Sequence, residues 1–314
     1  MSDDHKHDHD GHSHDHGGPG HAHALPNSNR AFAVGIVLNT GFVIAEVIYG
    51  LSANSLALLS DAGHNLSDVL GLLIAWGAIR LGKSLPTKRR TYGMRRSSIL
   101  AALVNAVVLL VAVGGITWEA LQRLQHPEPV VADAVIWVAA AGILVNTISA
   151  LMFMAGRKGD LNIRGAFLHM AGDAAISAGV VVAGFTIRAT GWQWIDPLVS
   201  IIIGALIVWG TWGLLRESVN LAMDAVPEGI DSHAVEAYLA GLAGVRSVHD
   251  LHIWGMSTTE TALTVHLVMT APPTGDAFLA SVCHELRDHF RIGHVTIQVE
   301  CGDRECHQAP AHVV

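Results

Sequence analysis

Charge is scarce in this chain of 314 residues: Asp, Glu, Lys and Arg make up only 15% of it, where an ordinary soluble domain carries about a quarter. The mean hydropathy is +0.40 and hydrophobic residues reach 51%, so a wholly water-soluble fold is excluded. Cysteine is also rare. Three cysteines do not make a disulfide framework. No H-E-x-x-H occurs, which removes the usual sequence basis for a zinc protease. The first 28 residues lack the basic start and apolar core of a signal peptide, and they lack the length of apolar sequence that a span requires. With 19 Lys and Arg against 27 Asp and Glu, no nucleic-acid partner is expected.

The missing charge is concentrated in six apolar segments at residues 31–51, 56–81, 97–121, 133–155, 165–189 and 195–215. Each approaches or exceeds the ~20 residues that cross a bilayer as a helix. The expected fold is therefore a polytopic α-helical membrane protein with six transmembrane helices. Lys and Arg set its orientation. Arg80, Lys83, Lys88, Arg89, Arg90, Arg95 and Arg96 lie around the second connection, and Arg157, Lys158 and Arg164 lie in the fourth. Arg30 precedes the first segment, and the remaining connections offer only Arg123 and Arg188. The positive-inside bias places both termini in the cytoplasm.

Within this apolar background, two H-x-x-x-D pairs stand out: His64 with Asp68, and His169 with Asp173. Residues four apart share a helix face, so each pair presents an imidazole beside a carboxylate. Ionisable groups at bilayer depth persist where they meet a partner, a cavity or an ion. Two such pairs on different spans can converge into a tetrahedral set of two nitrogens and two oxygens, suited to Zn²⁺ or Co²⁺ and tolerant of Cd²⁺. The plainer alternative is that each pair forms only an intrahelical or helix–helix polar contact. Spacing alone is a weak signal: His284 and Asp288 repeat it on a segment rich in charge, where solvation explains it. Asn39, Glu46 and Asp61 are candidates to orient ligands or carry protons. Hydrogen bonding between helices explains them equally well, as it does Asn105 and Asn146, while Asp196 suits an outer interface beside Trp192 and Trp194.

The chain divides into a tail at 1–29, a transmembrane domain at 30–219, a cytoplasmic domain at 220–303 and a short end at 304–314. In the first tail His5, His7, His9, His12, His14, His16, His21 and His23 alternate with Asp and Gly. That composition buries no core, and it captures divalent metal weakly in many geometries. Pro227 and Gly229 mark the exit from the last span. Beyond it the patterning predicts helices at 231–242 and 275–291 and strands at 245–254, 261–270 and 294–300, a small α+β domain. Leu263, Val265, Leu267 and Met269 share one strand face, as do Val295, Ile297 and Val299. Ligand-type residues crowd this domain: His249, His252, His266, His284, Glu300, Cys301, Cys306 and His307. C-x4-C without a second pair is a weak zinc signature, so these are candidates for a regulatory site only.

Several stretches together resemble the cation diffusion facilitator family of zinc transporters over residues 30–301. They are S-L-A-L-L-S-D-A-G-H-N-L-S-D at 55–68, R-R-T-Y-G at 89–93, H-M-A-G-D at 169–173, W-I-D-P at 194–197, V-H-D-L-H-I-W at 248–254 and T-I-Q-V-E at 296–300. The resemblance implies a bacterial zinc and cadmium efflux protein of the cytoplasmic membrane. It implies a homodimer in the lipid bilayer whose six-span domains exchange zinc for protons, with metallochaperone-like cytoplasmic domains paired at the base. His64, Asp68, His169 and Asp173 would then form the transport site, and His at position 64 would favour zinc over manganese. Two departures matter. Residues 82–96 contain no His or Asp, so a zinc site that some bacterial members hold in that loop is not expected. Gln298 stands where such members carry a histidine ligand, although His249, His266 and Glu300 match ligand positions.

The function expected from all this is proton-coupled efflux of Zn²⁺, with Cd²⁺ and Co²⁺ as further substrates, by alternating access around one site. A membrane metal sensor and a membrane metallohydrolase are the rival readings. The first gains nothing from carboxylates deep in two spans, and the second needs a general base and a substrate cleft that the sequence does not supply.

Overall fold

Backbone groups in hydrocarbon must find their partners within the chain, and long apolar segments do so as helices. The computed structural model, which describes residues 28–82, 84–154, 161–271, 275–302 and 306–308, holds six of them. They are α1 (Ser28–Ser52), α2 (Leu56–Gly82), α3 (Ser97–Gln125), α4 (Ala132–Met154), α5 (Leu161–Thr190) and α6 (Ile195–Ala222). By length and composition of their described residues, Ser97–Gln125, Ala132–Leu151, Met170–Thr190 and Ile195–Ala222 can each cross a membrane. The helix at 195–215 runs on to Ala222, because Arg216, Glu217 and Asn220 continue the helix in polar form beyond the apolar run that marks it in sequence. The histidines of the tail at 1–27 lie outside the described residues.

Helix α4 packs most extensively on α5, and α3 on α6; α2 touches α1, α3 and α6 and, over a shorter stretch, α5. The centre is filled by Leu58, Leu109, Val113, Val135, Val180 and Ile203. Glycine lets the backbones approach closely at Gly142, where an added Cβ would stand 2.8 Å from Phe42 and 3.0 Å from the Ser177 hydroxyl. The outward faces stay apolar, with Trp137 and Trp209 more than three-quarters exposed, as lipid-facing side chains should be.

After α6 the chain forms α7 (Ser232–Ala240), β1 (Val245–Gly255), β2 (Thr261–Met269), α8 (Ala277–Asp288) and β3 (His294–Glu300). Asp231 caps α7 by accepting from the backbone amides of His233 and Ala234. The sheet order is β1-β2-β3, antiparallel between the first pair and parallel between the second, with α8 making the crossover. Leu263, Val265, Leu267 and Met269 are buried against Val235, Leu239, Val282 and Leu286, the face that the alternation predicted.

The two parts meet through polar contacts. Arg95 pairs with Glu260 and Arg96 with Asp224, and the Ser98 hydroxyl accepts from the Thr258 amide at 3.2 Å. The end of α6 also fits closely, since a Cβ on Gly255 would stand 2.8 Å from Leu221.

Candidate metal centres

Helix geometry puts His64 and Asp68 on one face of α2, and α5 brings Asp173 against them. The His64 Nε2 lies 3.0 Å from an Asp173 oxygen and 4.0 Å from an Asp68 oxygen. One ligand atom from each of the three falls within 4.8 Å of the others. The closest contact therefore runs between helices, and the reading of the first pair as an intrahelical contact alone does not describe this geometry. Asp173 is the most buried of the three side chains at 7% exposed, against 20% for His64 and 30% for Asp68. His169 lies one turn ahead of Asp173 on the α5 backbone, and its side chain lies outside the described residues.

The surroundings hold α2 in place. Asp196 is almost fully buried and accepts from the Ser55 hydroxyl and, at 2.7 Å, from the Leu56 amide, so it caps the first turn of α2 from the start of α6. The sequence suggested an interfacial position for Asp196. Its burial follows from the amides at the start of α2, which need acceptors: Asp196 serves Leu56, while Ser55 serves Leu58 and Leu59. The hydroxyls of Ser60 and Ser200 add a second tie at 2.8 Å. Asn105 donates to the Ser67 hydroxyl at 3.4 Å, a contact between α3 and α2. Asn39 is half-buried two turns before Glu46 on α1. Glu46 and Asp61 are both fully buried, held by Asn65 and Ser177 respectively.

A second cluster forms at the edge of the sheet. His249 on β1 pairs in register with His266 on β2, and Val268 with Glu300 on β3. Ligand atoms of His249, His266, Glu300 and Cys306 all lie within 4.8 Å of one another. Glu300 stands 3.1 Å from His266 Nδ1 and 3.5 Å from His249 Nε2, and the Cys306 sulfur lies 3.7 Å from the same His266 nitrogen. Two imidazoles, a carboxylate and a thiol are a donor set that zinc accepts. Gln298 donates to Glu300 at 3.0 Å, so the residue in the expected histidine position supports a ligand candidate. Burial pushes the Glu300 carboxyl up, but hydrogen bonds from Cys306 and Gln298 and the charges of His249 and His266 outweigh it. The net shift is downward.

His252 pairs with Asp250 at 3.0 Å, His284 with Asp288 at 3.3 Å on exposed α8, and Cys301 and His307 are exposed, so these four stand outside the cluster. Sequence reasoning missed Asp250. A bulge between His249 and His252 turns Asp250 to φ +50°, and its carboxylate reaches 3.5 Å from His266 Nε2 on the ring side opposite Glu300. The three-residue interval between His249 and His252 in an otherwise alternating strand is the signal that could have disclosed it.

Residues 32–221 match the family model for the cation efflux transmembrane domain, and residues 227–301 match that for the cation efflux protein cytoplasmic domain. The cation efflux system protein CzcD of Alcaligenes sp. (strain CT14) is 39% identical over 312 residues, which cover 99% of this chain and 93% of that one. The zinc transporter ZitB of Escherichia coli (strain K12) is 37% identical, covering 90% and 92%. The cadmium, cobalt and zinc/H⁺–K⁺ antiporter of Bacillus subtilis (strain 168) is 36% identical, covering 87% and 89%. Two matched regions that together cover 265 of the 314 residues define a membrane metal-ion transporter with a cytoplasmic module. The chain belongs to the cation efflux family. Its relatives are named as transporters rather than enzymes, and its second region is the family's dimerisation domain.

Proposed function

We propose that the protein exports Zn²⁺ from the cytoplasm in exchange for protons, with Cd²⁺ and Co²⁺ as further substrates. The observation that carries this reading is the convergence of His64, Asp68 and Asp173 from two helices within 4.8 Å. In this reading His169, one turn before Asp173 in the sequence of α5, is the fourth ligand. Two carboxylates neutralise a divalent charge, and two imidazoles supply the nitrogen donors that set Zn²⁺ apart from harder ions. Binding displaces protons from these groups, and reprotonation returns the carrier, so the proton gradient drives export.

In this reading all six long helices span the bacterial cytoplasmic membrane, both termini are cytoplasmic, and two protomers pair through the domain at 220–303. The cluster of His249, His266, Glu300 and Cys306 binds cytoplasmic zinc and reports its level, while the histidines of the tail at 1–29 gather zinc near the entrance. Inside-out vesicles test the function. Zinc accumulates in them, faster when the interior is acid, and dissipating the gradient slows it. Accumulation with no response to the gradient would remove proton exchange, and no accumulation would remove transport.

A further inference from the structure

Next to the proposed transport site lies a pair of carboxyl groups whose chemistry is incomplete. Glu46 of α1 and Asp61 of α2 are both fully buried and in contact with each other. Each has one satisfied oxygen: Asn65 donates to Glu46 at 3.0 Å, and Ser177 donates to Asp61 at 3.1 Å. The other oxygens, Oε1 of Glu46 and Oδ1 of Asp61, receive no donor. Ionised carboxylates only accept hydrogen bonds, so two of them facing each other repel and leave both inner oxygens unpaired. No Lys or Arg pairs with either group among the described residues. The titratable neighbours acting on Asp61 are Glu46 from α1, His64 from its own helix and Asp173 from α5, while Glu46 meets Asp61 and the neutral Asn65.

We propose that Glu46 and Asp61 share one proton, and that this proton is released when a divalent cation binds at His64, Asp68 and Asp173. A single proton makes one carboxyl a donor to the other and satisfies both inner oxygens at once. The pair is mechanically tied to the metal site, because Asp61 precedes His64 by one turn, Asn65 follows His64 directly, and Ser177 lies one turn beyond Asp173. Two positive charges at the neighbouring site favour the doubly ionised pair, because Coulomb attraction is strong in a medium of intermediate polarity. On cation binding the carboxylic O–H bond breaks, the proton passes to water, and both groups remain as carboxylates under the field of the metal. One of the exchanged protons is thereby held on groups outside the proposed ligand set, in addition to those displaced from the ligands themselves. This inference rests on the proposed transport site.

The test titrates zinc into the purified full-length protein in detergent, using buffers of different ionisation enthalpy to count protons released. The membrane component is the part of the binding that Asp173→Ala removes, which subtracts the tail and the cytoplasmic cluster. Glu46→Gln and Asp61→Asn should each lower the protons released in that component by about one, and the double variant should lower them no further. In the unaltered protein, infrared difference spectra should lose a protonated-carboxyl stretch when zinc is added, a readout independent of any variant's folding. An unchanged proton count in both single variants, a loss of about two in the double variant, or no carboxyl signal would overturn the shared proton. If Asp173→Ala removes no component, the transport-site assignment itself fails, which is a separate and recognisable result.

Discussion

Asp173 offers the sharpest test of the membrane site, because it is the most buried of the three described residues there and touches His64 at 3.0 Å. Replacing it by Ala leaves a divalent cation with half its compensating charge in a place that water reaches poorly. Removing one partner of a buried charge pair costs about 3–5 kcal/mol, which corresponds to roughly 100- to 4,000-fold in zinc affinity at that site. Asp173→Asn keeps the volume and a hydrogen-bonding oxygen for His64 but not the charge, so it separates electrostatics from packing and should lose nearly as much. Asp68 is about four times as exposed, and solvent screens the corresponding loss, so Asp68→Asn should cost less than Asp173→Asn. The assay is zinc uptake into vesicles over a concentration series, with dimer content checked by size-exclusion chromatography. Normal uptake at low zinc by a folded Asp173→Asn variant would refute the assignment, and an inverted order of Asp68 and Asp173 would refute the burial argument.

Two further outcomes follow from the chemistry of single groups. His64→Asp exchanges a nitrogen donor for a hard oxygen and adds charge, so competition by Mn²⁺ and Cd²⁺ against zinc uptake should strengthen; unchanged competition by both would place His64 outside the ligand set. Glu300 sits below its ordinary value of 4.5, so its favourable contacts are present above that pH and fade as the pH falls through the lowered value. With chelator present, Glu300→Gln should therefore lower the unfolding temperature of the cytoplasmic domain at neutral pH and converge with the parent at strongly acid pH. A difference that persists at acid pH would assign the effect to packing instead.

The membrane helices were legible because a single physical demand, apolar length, writes itself into consecutive residues. Their ends were less so, since Arg216 to Asn220 belong to the helix of α6 by backbone geometry while reading as cytoplasmic by polarity. The strands around Leu263 and Val265 were legible for a similar reason, a strict period of two enforced by a one-sided core. What stayed hidden depends on contacts between residues distant in the chain. Asp196 reads as an interfacial residue until the unpaired amides of α2 are seen beside it. Asp250 reads as one more residue of the strand at 245–254 until the bulge turns it toward His266. The approach of Glu46 and Asp61 depends on how α1 lies along α2, which neither segment specifies alone.

The cap that Asp196 places on α2 also acts as a fulcrum. It pins the first turn of α2 to α6 at Leu56, while His64 lies eight residues along, about 12 Å from the pivot at 1.5 Å per residue. Swinging α2 by about 10° around that point displaces His64 by ~2 Å and Asp68 by ~3 Å, with the backbone near Ser55 almost stationary. A movement of that size is enough to part His64 from Asp173, so a modest rotation of one helix can take the cluster apart and reassemble it. The lever arm grows toward Asp68, so the same swing would carry its carboxylate farther than the His64 ring.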